Sequence, residues 1–170
     1  DQYLACEIKP NAIKVTQANY PQTVQLGDVR GIRAESLPQI DLLIGGSPCQ
    51  DFSRGNTVRD GLNGAKSGLF FEYLRLLKEC KPKYWLLENV IMGDADYMTI
   101  SKYLETEPVR INSALVSAQL RDRLYWTNIG PEYKDLFGNR KCAIPLPRDK
   151  NVMLKDILTS GFTDREKSRA

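Results

Sequence analysis

The run Asp41-Leu-Leu-Ile-Gly-Gly-Ser-Pro-Cys-Gln-Asp-Phe-Ser53 constrains the fold more than any other segment of this chain. A short apolar stretch bounded by turn residues reads as a buried strand, and Gly45, Gly46 and Pro48 end it in a turn. Cys49 is thereby displayed at the carboxyl end of that strand, where a nucleophile can be presented to a cleft.

The rest of the chain repeats the theme. Short apolar runs at Tyr3–Glu7, Thr23–Leu26, Leu42–Gly45, Tyr84–Glu88, Arg110–Val116 and Leu124–Asn128 predict strands, and amphipathic stretches near 10–19, 67–80 and 97–106 predict helices between them. Strands alternating with helices predict an α/β fold, a mostly parallel sheet with helices on both faces. Such sheets bind ligands beyond the carboxyl ends of their strands. Glu7, Asp28, Cys49 and Glu88 all fall at or just after predicted strand ends, so four polar residues converge on one edge. After Ile129 the periodicity stops. Pro131, Gly138, Pro145 and Pro147 predict a surface loop or linker over 131–170, with a weak helical pattern at Val152–Leu158 and a frayed polar tail from Thr163. Residues 1–130 form the predicted core.

Composition narrows the chemistry. With 42% hydrophobic and 26% charged residues the chain matches an ordinary globular domain. No apolar stretch approaches the roughly 20 residues that span a bilayer, and the amino terminus lacks a secretory pattern, so a cytoplasmic location is expected. A net charge of +3 neither demands nor excludes a polyanionic partner. The chain has no histidine, and Cys6, Cys49, Cys80 and Cys142 show no Cys-x-x-Cys spacing. The usual zinc sites, Ser-His-Asp triads and Cys-His dyads are therefore not expected, and no metal is assigned. A lone cysteine is usually a small buried hydrophobe, the reading given to Cys6, Cys80 and Cys142. A lone strand-end glutamate is more often solvated or capping than functional, and an Arg-x-Arg alone says little.

Three segments change that reading when taken together. They are Gly-Gly-Ser-Pro-Cys49-Gln, Leu86-Leu-Glu-Asn-Val90 and Gln119-Leu-Arg-Asp-Arg123, in that order. The set resembles the cytosine-5 DNA methyltransferase family, in its phage and bacterial members and also in the eukaryotic de novo catalytic domain, whose Asp at position 51 this chain shares. That resemblance implies a Rossmann-like S-adenosylmethionine-dependent methyltransferase sheet, with helices on both faces. Cytosine carbon 5 is a poor nucleophile, and a thiolate added at carbon 6 turns it into a reactive enamine. The resemblance makes Cys49 that thiolate and places Glu88 at nitrogen 3 and the exocyclic amine. Arg123 would reach oxygen 2 of the base, with Arg121 organising the pocket or its phosphate. The target base must leave the duplex to reach these groups, so double-stranded DNA is the implied partner.

For the cofactor, the resemblance implies that Glu7 takes the ribose hydroxyls and Asp28 the adenine amine. Ile8, Val29 and Leu69 would wall the adenine, with Pro48 near the reactive methyl group. The family's Phe-x-Gly-x-Gly loop and first strand do not precede Asp1, and no target-recognition region follows. That first strand is central in the family's sheet, between those carrying Glu7 and Cys49, and its loss would leave two unpaired edges. The chain is therefore read as a fragment, or as needing a complementing piece, with little turnover alone. Two other functions share these motifs: a tRNA cytosine-5 methyltransferase, and an inactive paralogue serving as a regulatory or DNA-binding subunit. A dead copy would have no need of the intact set of Cys49, Glu88, Arg121 and Arg123.

Overall fold

A computed structural model describes residues 2–47, 68–136, 138 and 140–157. Its central sheet has four strands, β3 (Leu42–Gly46), β4 (Tyr84–Val90), β5 (Val109–Asn112) and β6 (Asp122–Thr127), in the order β3-β4-β6-β5. β3 and β4 are parallel, while β6 runs antiparallel to both β4 and β5. Two shorter strands, β1 (Leu4–Ala5) and β2 (Val24–Gln25), form a separate parallel pair. The expected mixture of strands and helices is present, with β6 as the reversed strand of the central sheet.

The helices follow from local sequence. Helix α1 (Pro10–Asn19) opens on a proline, whose fixed φ suits a first helical position. In α2 (Gly68–Cys80) Phe70, Tyr73 and Leu74 recur at helical spacing and are buried. Half-buried Arg75 of α2 pairs with Glu72 and Glu79 at one-turn spacing. Helix α3 (Asp94–Leu104) has Asp94 and Asp96 in its first turn, where the helix dipole favours negative charge, and ends at Glu105 in the left-handed conformation.

A buried core joins α2 and α3 to β4 and β6. Phe70, Tyr73 and Leu74 of α2 and Ile100 and Leu104 of α3 pack with Leu87 of β4 and Leu124 and Trp126 of β6. Trp126 is fully buried and donates its indole N–H to Ser101 at 3.0 Å. Gly45 lets α2 approach the sheet, because a Cβ there would lie 2.5 Å from the ring of Tyr73. Among the described residues no helix is long and apolar enough to cross a membrane.

Two stretches differ from the sequence reading. The predicted strand over 110–116 stops at Asn112, because the Asn112 side chain accepts from the Ala114 N–H and starts a 3-10 turn over Ser113–Leu115. The stretch after Ile129 holds a hairpin of β7 (Glu132–Lys134) and β8 (Arg140–Cys142) rather than an unstructured loop. Its second strand is anchored where the Glu107 N–H donates to the Arg140 carbonyl. The weak helical pattern further on appears as α4 (Leu154–Ile157).

Candidate active site

Strand alternation creates the site. Successive residues of β4 point to opposite faces, so Leu87 and Asn89 go to the core while Glu88 stands on the other side. Glu88 is the parallel partner of Gly46, the last residue of β3. On the antiparallel side Val90 faces Arg123, which puts Arg123 on the same face as Glu88. Arg123 Nε donates to Glu88 Oε1 at 3.0 Å, and Arg121 Nη2 reaches the same oxygen at 3.1 Å. The two arginines thus project to one side as their spacing predicts.

The three side chains are 26% (Glu88), 21% (Arg123) and 45% (Arg121) exposed, so the carboxylate and Arg123 are the shielded pair and Arg121 the outer one. One negative and two positive groups leave a residual positive charge, suited to an electron-rich carbonyl or a phosphate. Glu88 Oε2 lies over Gly46, where a Cβ would be 3.3 Å away.

Arg121 is held by its main chain. Asn112 Oδ1 accepts from the Arg121 N–H at 3.2 Å, and the Ser113 N–H donates to the Arg121 carbonyl at 3.0 Å. Arg123 Nη1 donates to the Asp122 carbonyl, and the Asp122 carboxylate pairs with Arg110. On the core side of β4 Asn89 Nδ2 donates to Ser47 Oγ at 2.9 Å. Sequence reasoning missed Asn112 and Asn89. An asparagine closing an apolar strand just before serine signals the first as a cap, and the second carries no signal in the sequence beyond being polar within a strand.

Cys49 and Pro48 lie outside the described residues. The other cysteines are poor candidates for a thiolate, which is the reactive form. Desolvation, then the charge of Asp28, pushes the Cys6 thiol up; desolvation, then the charge of Glu79, does the same to Cys80. Cys142 is buried and donates to the Ile129 carbonyl.

The residues expected at a cofactor lie on the β1–β2 pair and at the start of α2. Glu7 follows β1, and its Oε1 accepts from the N–H groups of Lys9 at 2.9 Å and Ile8 at 2.8 Å. These bonds hold its carboxyl below the ordinary range, and Oε2 has no hydrogen-bond partner among the described residues. An ionised carboxylate with one open oxygen fits a donor such as a hydroxyl. Ile8 beside it is an exposed apolar side chain, 64% accessible. Asp28 follows β2 but is already engaged. Arg30 donates from Nε and Nη2 to its two oxygens and from its main-chain N–H to Oδ1, which brings the Asp28 carboxyl down to about 2. An amine reaching Asp28 would have to share it with Arg30. Val29 lies in the 3-10 turn over Val29–Gly31, its carbonyl accepting from Arg75 of α2 at 3.2 Å, and Leu69 lies in the first turn of the same helix.

Comparison with known proteins identifies the family. Residues 1–105 match the model of the C-5 cytosine-specific DNA methylase family. The chain is 32% identical over 170 residues to the type II methyltransferase M1.ScrFI of Lactococcus lactis subsp. cremoris, covering 94% of the chain and 43% of that protein. It is 33% identical over 171 residues to the orphan methyltransferase M.SPRI of Bacillus phage SPR, covering 91% of the chain and 36% of the relative. A crystal structure from E. coli, of a prophage-encoded protein described as a DNA modification methyltransferase, superposes with a TM-score of 0.59 at 25% identity. That superposition covers 75% of this chain and 39% of the other. The chain therefore spans less than half the length of these relatives, and by the family match and its likeness to them it belongs to the C-5 cytosine-specific DNA methylase family.

Proposed function

We propose that the protein carries the nucleophile-bearing and cytosine-binding part of a DNA cytosine-5 methyltransferase serving restriction-modification or genome protection. The observation that carries this reading is the grip of Arg121 and Arg123 on one oxygen of Glu88, opposite the end of the strand that leads to Cys49. A carboxylate flanked by two guanidinium groups offers one acceptor and several fixed donors in a small space. That set complements a cytosine edge, which presents an amine, a ring nitrogen and a carbonyl.

In this mechanism the Cys49 thiolate adds to carbon 6 of a cytosine taken out of the duplex. A sulfur–carbon bond forms and the ring electrons move toward carbon 5. Glu88 accepts from the amine and shares a proton with nitrogen 3, which neutralises the negative charge that builds there and is withdrawn again when the ring is restored, while Arg123 holds oxygen 2. Arg121 steadies Glu88 or a flanking phosphate. Carbon 5 gains a methyl group and loses its proton to solvent, the sulfur–carbon bond breaks, and the thiolate and the aromatic ring are restored. S-adenosylmethionine supplies the methyl group as a sulfonium when bound. Glu7 would accept from its ribose hydroxyls, Ile8, Val29 and Leu69 would cover its adenine, Asp28 would take the amine in competition with Arg30, and Pro48 would border the methyl.

The test is a covalent trap. The chain, extended upstream by a segment that supplies the family's first strand and Phe-x-Gly-x-Gly loop, is incubated with S-adenosylmethionine and duplex DNA containing 5-fluorocytosine, whose fluorine blocks the final elimination. The expected result is an adduct that survives denaturation and disappears in Cys49→Ala. An adduct that persists in Cys49→Ala, or one that forms on fluorinated RNA and not on DNA, would overturn the proposal.

A further inference from the structure

The two arginines on Glu88 are anchored differently. Arg123 lies inside β6, where it is paired with Val90 of β4 on one side and Ile111 of β5 on the other. Arg121 comes one residue before β6 begins, and the ladder between β5 and β6 ends at Asn112 and Asp122. Continuing that register sets Arg121 opposite Ser113, whose carbonyl would ordinarily take the Arg121 N–H. That carbonyl serves the turn after β5 instead. It accepts from the N–H groups of Val116 at 3.0 Å and Ser117 at 2.9 Å and from the Ser117 hydroxyl at 3.0 Å.

A side chain replaces the missing acceptor. Asn112 Oδ1 accepts from the Arg121 N–H at 3.2 Å, nine residues along the chain, and from the Ala114 N–H at 3.0 Å. The Ser113 N–H still donates to the Arg121 carbonyl at 3.0 Å, so this pair is closed by one main-chain bond and one bond borrowed from a carboxamide. One oxygen thus starts the turn and holds the main chain of Arg121. It does so at the last point before the guanidinium extends to Glu88 Oε1 at 3.1 Å.

We propose that Asn112 is a positioning residue of the site, whose side-chain oxygen fixes the root of Arg121 so that its guanidinium reaches Glu88, and on which Arg123 does not depend. This rests on the reading of Glu88 and the two arginines as the groups that hold cytosine. Asn112 touches no reacting atom. A long side chain keeps many rotamers open unless its root is fixed, and Arg121 is the more exposed of the pair, at 45% against 21%. Arg123 needs no such help, because strands pair with it on both sides. Loss of the Asn112 oxygen therefore frees one arginine and leaves the other on Glu88.

The experiment is nitrogen-15 relaxation of the arginine Nε–H groups by NMR, in the upstream-extended chain used for the covalent trap. The parent, Asn112→Ala and Asn112→Asp are compared; the aspartate keeps an oxygen acceptor in the same place. Asn112 is half-buried, so water can serve the N–H groups that alanine leaves free. The Arg121 and Arg123 signals are identified by their loss in Arg121→Lys and Arg123→Lys. In Asn112→Ala the Arg121 order parameter is expected to fall by about a third, from the rigid range near 0.85 to below roughly 0.6, while Arg123 keeps its parent value. Asn112→Asp should follow the parent at both. An Arg121 value equal in the parent and Asn112→Ala would overturn the proposal. So would a matching fall at Arg121 and Arg123, which would make Asn112 a support of the sheet as a whole, or an Asn112→Asp result equal to that of Asn112→Ala. The readout uses neither DNA nor methyl donor. A failed trap would remove the methyltransferase reading with the anchoring of Arg121 still measurable, and an unchanged order parameter would remove the anchoring with the trap intact.

Discussion

Gly45→Ala isolates how closely α2 is pressed on the sheet. The added Cβ would meet Tyr73 Cδ2 at 2.5 Å and Cε2 at 2.8 Å, about an ångström inside the roughly 3.5–4.0 Å at which carbon atoms attract. The obstacle is a rigid ring, and Tyr73 is only 7% exposed, so the ring cannot swing into solvent. Relief must come from moving α2 or distorting a side chain, at about 1–3 kcal/mol for such overpacking. Restricting the unfolded chain returns about 0.4–1 kcal/mol, because this glycine has no positive φ to forbid alanine. The balance is a loss of roughly 1–2 kcal/mol, which for a domain of this size lowers Tm by about 2–8 °C. Thermal unfolding followed by far-ultraviolet circular dichroism measures it. Gly45→Ala combined with Tyr73→Leu should cost less than the sum of the two single changes, since the ring that creates the clash is gone. A Tm equal to or above the parent's for Gly45→Ala, or strict additivity in the double variant, would refute the reasoning.

Gly46→Ala is expected to act differently from its neighbour. Its Cβ would lie 3.3 Å from Glu88 Oε2 on the site face, so Tm should stay within about 2 °C of the parent while the trapping rate on 5-fluorocytosine DNA falls. Arg123→Lys should lower the trapping rate more than Arg121→Lys, because Arg123 is the more shielded partner of Glu88 and a lysine cannot reproduce its planar fork. For acid stability the sign follows from Asp28. Arg30 holds its folded pKa at about 2, below its unfolded value, so the pair stabilises the fold above about pH 4 and the contribution fades as pH falls toward 2. The Tm difference between the parent and Asp28→Asn should therefore shrink from pH 5 to pH 2, and a difference that grows would contradict the assignment.

Much of this architecture is legible in the sequence because the central strands are apolar and the helices strongly patterned. The run Leu86-Leu-Glu-Asn-Val90 reads as a strand, and α2 announces itself through Phe70, Tyr73 and Leu74. The hairpin at 132–142 is invisible for a physical reason. Glu132, Tyr133 and Lys134 are all exposed, so β7 has no alternation to detect, and its partner strand depends on a main-chain contact with Glu107. The reversal of β6 was available in principle. The connection from Asn112 to Asp122 is too short to hold the crossover that parallel neighbours need, which forces an antiparallel return. At the site, residue types and order brought out Glu88, Arg121 and Arg123. The Asp28–Arg30 pairing was not apparent, since a guanidinium two residues away can equally point to solvent. The bond from Asn89 to Ser47 escaped because it depends on register between strands distant in sequence.

The pleat of β4 also acts as a form of quality control. Leu87, Glu88 and Asn89 are consecutive, and they serve the core, the site and the core again. A slip of one residue in pairing would carry the Glu88 carboxylate in among Phe70 and Ile100 and turn Leu87 out toward the arginines. An unpaired buried charge of that kind is more than a marginally stable domain tolerates. Misaligned molecules therefore remove themselves from the folded population, and selection for stability alone keeps the carboxylate aimed at its partners.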